Sequence, residues 1–257
     1  MTQHELKEFL DEKVQLYNQP TFIESDPIQI PHRFTQKEDR EIAGFLAATM
    51  AWGNRKMIIK KVDDLLQRMG NSPFDFIMNY SENEFDKIEG FKHRTINSLD
   101  MDFYFRSLKN IYTHYQGLEN CFPFHPTDKN TMNAILYFRE KFLEVSYLPR
   151  SEKHLSNPAK NSAAKRLNMM LRWFVRNDNQ GVDLGIWTKI SPSQLVCPLD
   201  VHSGNVARKL GILQRKQNDW KAVLELNEQL RKFDSEDPVK YDFALFGLGV
   251  FEGFSKL

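Results

Sequence analysis

The run from Thr35 to Trp52, TQKEDREIAGFLAATMAW, sets the tightest limit on how this chain can fold. From Ile42 onward apolar residues fill nearly every position instead of one stripe. A helix without a polar face has to be covered on all sides, so a helix over about 36–51 belongs at the centre of a larger helical assembly. Thr35, with Glu38 three positions later, has the form of a capping box that would open it.

The rest of the chain supplies the covering helices. Residues 3–17 place Leu6, Phe9, Leu10, Val14 and Tyr17 on one face at helical spacing. Further helices are expected over 56–69, 73–79, about 100–115 with Ser98 or Asp100 as the cap, 131–145 and 219–232. Asp237-Pro238 opens the last one, with proline in its first turn. The segment 18–34 carries Pro20, Pro27 and Pro31 and reads as extended, with IQI as a candidate strand. About ten helices with little credible strand make this an all-α chain, a single unit of two lobes spanning 1–257. Short helices and irregular joints do not suit a four-helix bundle.

Composition excludes several classes of function. No apolar run approaches the roughly 18 residues that span a bilayer, so no membrane association is expected. The N-terminal segment lacks the continuous apolar core of a signal peptide. Two cysteines, Cys121 and Cys197, are too few for a disulfide framework, a four-cysteine zinc site or an iron–sulfur cluster. A reducing, cytoplasmic setting is the default expectation. His93, His114, His125 and His202 do not stand at metal-ligand spacing, and no motif calls for a cofactor.

A net charge of +1 gives no global signal for a polyanion, so any such site rests on local clustering. One cluster stands out. From Arg150 to Arg176 the basic residues are Arg150, Lys153, Lys160, Lys165, Arg166, Arg172 and Arg176, against Glu152 alone. Phosphate contacts would leave this footprint, and so would a solvated helix face.

Within 158–211 lie the two residues with the clearest chemical potential. Lys165 sits in an amphipathic segment, SAAKRLNMMLRWFV, at the edge of its apolar stripe beside Asn168 and Met169. A partly desolvated amine there would be freed for attack on carbon, while a snorkelling surface lysine would occupy the same place. Asp200 follows Pro198 and precedes a helical segment, VHSGNVARKL. It suits an N-cap, and a carboxylate so placed is also held ionised and aimed outward.

The runs AKNSAAKRLNMMLRWFVR, CPLDVHSGNVARKLGI, FLAATMAWGNRKMI and DPVKYDFALFGLG together resemble a family of uncharacterised bacterial proteins, over about 35–253. That family in turn resembles the helix-hairpin-helix DNA glycosylases, which include endonuclease III and the archaeal 8-oxoguanine type. The resemblance implies a two-lobed helical fold and a base-excision glycosylase/lyase acting on a damaged base flipped from duplex DNA. Lys165 would be the nucleophile and Asp200 the carboxylate that steadies the positive sugar. Lys160, Arg166, Arg172, Asn54 and Arg55 would contact DNA, and Trp52, Asn168, Trp187 and His202 would line the pocket. Trp173, near the apolar stripe, reads as core.

This sequence also departs from the glycosylase pattern. The usual Leu-Pro-Gly-Val-Gly hairpin is absent, with a diverged version expected at Lys189–Ser193. Val201 stands where threonine is common, and two cysteines rule out a cluster like that of endonuclease III. Two other readings stay open: a nucleic-acid-binding protein that keeps the fold without turnover, and a helical scaffold or small-molecule enzyme of unrelated function.

Overall fold

The computed structural model describes residues 1–254. Twelve α-helices follow one another: α1 (Gln3–Tyr17), α2 (Pro20–Ile23), α3 (Lys37–Met50), α4 (Arg55–Arg68), α5 (Pro73–Asn79), α6 (Phe85–Ile88), α7 (Ser98–Tyr115), α8 (Met132–Phe142), α9 (Lys165–Val175), α10 (Val201–Lys209), α11 (Trp220–Phe233) and α12 (Tyr241–Val250). The sheet structure among the described residues is one small antiparallel hairpin, β1 (Lys92–His93) and β2 (Ile96–Asn97), paired Lys92 to Asn97 and His93 to Ile96. The chain is all-α, as its periodicity predicts. No helix among the described residues is long and apolar enough to cross a membrane.

Several local expectations need correction. The segment 18–34 is not extended, and no strand forms at IQI. Instead Pro20, Pro27 and Pro31 each open a short helical turn, α2 or one of the 3-10 turns Pro27–Gln29 and Pro31–Arg33. Proline fits there because the first residue of a helix has no intrahelical use for an N–H. Gln36, not Thr35, precedes α3, and it makes no side-chain cap. Asn97 caps α7 in a reciprocal box with Asp100, displacing Ser98.

The residues divide into two compact units, and the chain passes between them more than once. The first comprises Met1–Phe22, Phe124–Met132 and the chain from Asn157 on; the second comprises Ile23–Pro123 and Asn133–Ser156. In the second unit α3 is buried from Glu41 to Met50 and packs on α4 and α5. Its Phe45 meets Phe138 and Phe142 of α8 and Tyr104 of α7 in an aromatic core. In the first unit α12 is the buried element, covered by α1 on one side and α10 on another. Gly247 makes the α1 contact close, since a Cβ there would stand 2.1 Å from the Tyr17 ring.

Candidate functional site

Asp200 is fixed before any ligand arrives. As N-cap of α10 its Oδ1 accepts the backbone N–H of His202 at 2.9 Å and of Ser203 at 3.0 Å. The Ser203 hydroxyl accepts from the Asp200 backbone N–H at 2.9 Å, which closes a capping box. The Asp200 carbonyl accepts from Gly204 and from the Asn218 side chain. Oδ2 takes no part in the cap. It faces the Lys165 ammonium at 3.8 Å, with the two side chains 27% and 28% exposed. The ammonium also lies 3.5 Å from the Met169 sulfur.

Lys165 is the first residue of α9, and Ala164 before it adopts the left-handed conformation at φ 48° and ψ 34°. For a residue with a Cβ this costs roughly 1–2 kcal/mol, and the cost falls at the turn that presents the lysine. The two charged groups stand 35 positions apart in sequence and meet within one unit.

Beneath them lies a buried charge network. Arg172 donates from Nη1 to Asp242 Oδ2 at 2.6 Å and from Nε to Asp183 Oδ1 at 3.2 Å, and its guanidinium sits 4.2 Å above the Phe243 ring. Arg176 pairs with Asp183, Asp178 and Asp237. Burial pushes the Asp242 carboxyl up to about 6 from the ordinary 3.8, against the pull of Arg172 and Lys165, while Asp200 and Asp183 add to the rise. Burial likewise drives the Cys197 thiol well up, with Asp242 Oδ1 4.0 Å away, so that sulfur is no thiolate nucleophile. Sequence reasoning passed over Asp242. Its one signal was a lone carboxylate in the otherwise apolar run YDFALFGLG.

Other expected site residues fall elsewhere. Arg172 is buried and committed to carboxylates, so it is withdrawn as a DNA contact. Asn168 is buried, receiving the Thr131 hydroxyl at 2.7 Å and donating to the Ala163 carbonyl, and it does not line an open pocket. Trp187 is 2% exposed and packs on Phe174 at 5.0 Å, a core residue like Trp173. Lys160 is exposed, Arg166 is half-buried, and His202 is exposed one residue beyond Val201 at the start of α10. Lys189–Ser193 forms no hairpin of two helices. Ser191 caps the 3-10 turn Pro192–Gln194, and no other helical turn lies between α9 and α10.

Trp52, Asn54 and Arg55 belong to the other unit. Asn54 Oδ1 caps α4 by accepting from Met57 N–H, Arg55 is the first residue of α4, and Trp52 is exposed with Arg94 stacked on its ring. No group of three or more His, Cys, Asp or Glu side chains is gathered for a metal ion among the described residues.

Residues 26–251 match the family described as "Protein of unknown function (DUF2400)". The chain belongs to that family. No curated protein and no solved structure matches it.

Proposed function

We propose that this DUF2400 protein is a DNA glycosylase/lyase that uses Lys165 as nucleophile and Asp200 as its partner. The observation that carries this reading is the 3.8 Å approach of Lys165 Nζ to the one Asp200 oxygen left free by the cap. Helix capping alone has no need of a part-exposed lysine, yet here an amine and a carboxylate, both part-exposed, face each other. In the proposed reaction Asp200 takes a proton from the Lys165 ammonium, and the amine attacks the anomeric carbon of a flipped nucleotide. The base departs carrying the proton that Asp200 took, and the carboxylate so restored faces the positive charge that develops on the sugar. The cap holds Asp200 still throughout, so little reorganisation accompanies the charge transfer. The adduct's amine then gives a proton to the ring oxygen as the C1′–O4′ bond opens, which leaves an imine on Lys165 from which strand cleavage can proceed.

Borohydride reduction in the presence of duplex DNA bearing an abasic site or a damaged base tests this reading. A covalent protein–DNA adduct that is lost in Lys165→Ala supports it. Salt-sensitive DNA binding without an adduct favours a binder that has no turnover, and the proposal then fails.

A further inference from the structure

The second unit carries a surface that the lysine–aspartate chemistry does not use. Trp52, Lys56, Met57, Lys60, His93 and Arg94, together with the Asn54 cap, line a cleft of about 320 Å³. No carboxylate lines it. Lys56, Lys60 and Arg94 form no ion pair among the described residues, whereas neighbouring Lys61 and Arg68 both pair with Asp64. Burial holds His93 below its ordinary range, so the charge of the cleft comes from the two lysines and the arginine.

The cleft is built rather than accidental. Arg94 sits at the tip of the β1–β2 hairpin in the left-handed conformation, φ 54°. His93 Nε2 lies 3.0 Å from the Met50 carbonyl and ties that hairpin to the end of α3. Arg94 then lies over the Trp52 ring at 4.9 Å. Gly53 turns the chain beside it at φ 109°, and a Cβ there would stand 3.0 Å from Arg94 Nη1. Trp52 remains 42% exposed, and Met57 is exposed beside it. The 14-residue helix α4 starts at the cleft, and its N-terminus adds a positive dipole to the cations.

An exposed flat ring beside three unpaired cations and a helix N-terminus matches a ligand with a flat ring and an attached anion. We propose that this cleft binds a nucleotide, its base stacked against Trp52 and Met57 and its phosphate held by Lys56, Lys60 and Arg94. The site works independently of the Lys165 reaction and stands whether or not that reaction occurs.

Fluorescence titration of the full chain with 5′-deoxyadenosine monophosphate tests it, because Trp173, Trp187 and Trp220 are buried and Trp52 is the exposed reporter. Saturable quenching is expected, with deoxyadenosine and inorganic phosphate each binding at least about tenfold more weakly. The double variant Lys56→Glu/Lys60→Glu loses about tenfold or more. Trp52→Leu, followed by calorimetry, loses about 5- to 150-fold, the range for one stacked base. Lys165→Ala binds as the parent does. Four results overturn the proposal: no saturation in the millimolar range, phosphate alone binding as tightly as the nucleotide, deoxyadenosine binding as tightly, or loss of binding in Lys165→Ala. Trapping of DNA on Lys165 without nucleotide binding at Trp52 would remove this site and leave the lyase. Binding without trapping would do the reverse.

Discussion

Replacing Arg172 with methionine keeps much of the side chain's bulk and removes the charge that holds Asp242 ionised. Asp183 keeps Arg176 at 3.2 Å, so Asp242, paired with Arg172 at 2.6 Å, is the carboxylate left without its cation. In the parent protein the Asp242 pKa is about 6, raised from 3.8, so the contribution of Asp242 to stability falls as pH rises between roughly 4 and 6 and is level above that. Without Arg172 the folded value rises further. The folded variant then holds a proton above pH 6 that its unfolded chain has released, and it loses stability at up to about 1.4 kcal/mol per pH unit relative to the parent. At pH 7 that amounts to about 1.4 kcal/mol from Asp242 alone. The lost Phe243 contact adds a pH-independent part, and Asp183, which burial also raises and Arg172 also pulls down, adds to the slope; the whole loss is within the 3–5 kcal/mol typical of breaking a buried pair. Urea unfolding followed by tryptophan fluorescence measures it, since three of the four tryptophans (Trp173, Trp187 and Trp220) lie in this unit. In Arg172→Met/Asp242→Asn the extra pH slope is reduced to the share of Asp183. A gap between Arg172→Met and parent below about 0.5 kcal/mol, flat from pH 6 to 8, would refute the buried pair.

Two further substitutions separate structure from chemistry. Asp200→Asn keeps a good N-cap and costs a few tenths of a kcal/mol at most, whereas Asp200→Ala loses the cap and costs about 1 kcal/mol; thermal unfolding distinguishes them, and both should lose most imine formation. Gly247→Ala drives a Cβ into the Tyr17 ring and is expected to destabilise by about 1–3 kcal/mol, where an unobstructed helical glycine would gain about 1 from the same change. Chemical denaturation of the two proteins checks the sign.

How much could be read in advance depended on whether a residue's role was local. The N-cap of α10 was legible because Asp200 and the residues it caps are neighbours in sequence. The unbroken apolar run of α3 showed that it must be buried. Its start was misjudged, because Thr35 and Glu38 look like a box by spacing while the backbone turns at Gln36. Arg172 was misassigned for a related reason. Counting charges along 150–176 shows cations without the carboxylates they meet, and Asp183 and Asp242 lie 11 and 70 positions away. The prolines of 18–34 read as breakers, although proline also starts helical turns. The meeting of Lys165 and Asp200 came from resemblance alone, since no periodicity brings together residues on separate helices. The place of Arg94 is not legible in the sequence, because a two-residue hairpin gives too little pattern to show which ring its tip will cover.

The central claim is that Lys165, and no other amine, forms the imine. Peptide mapping of the borohydride-reduced adduct by mass spectrometry tests it most directly. A deoxyribose-derived mass is expected on the peptide containing Lys165 and on no other. An adduct on a different lysine or on the N-terminal amine, or none on any damaged duplex tested, would contradict it.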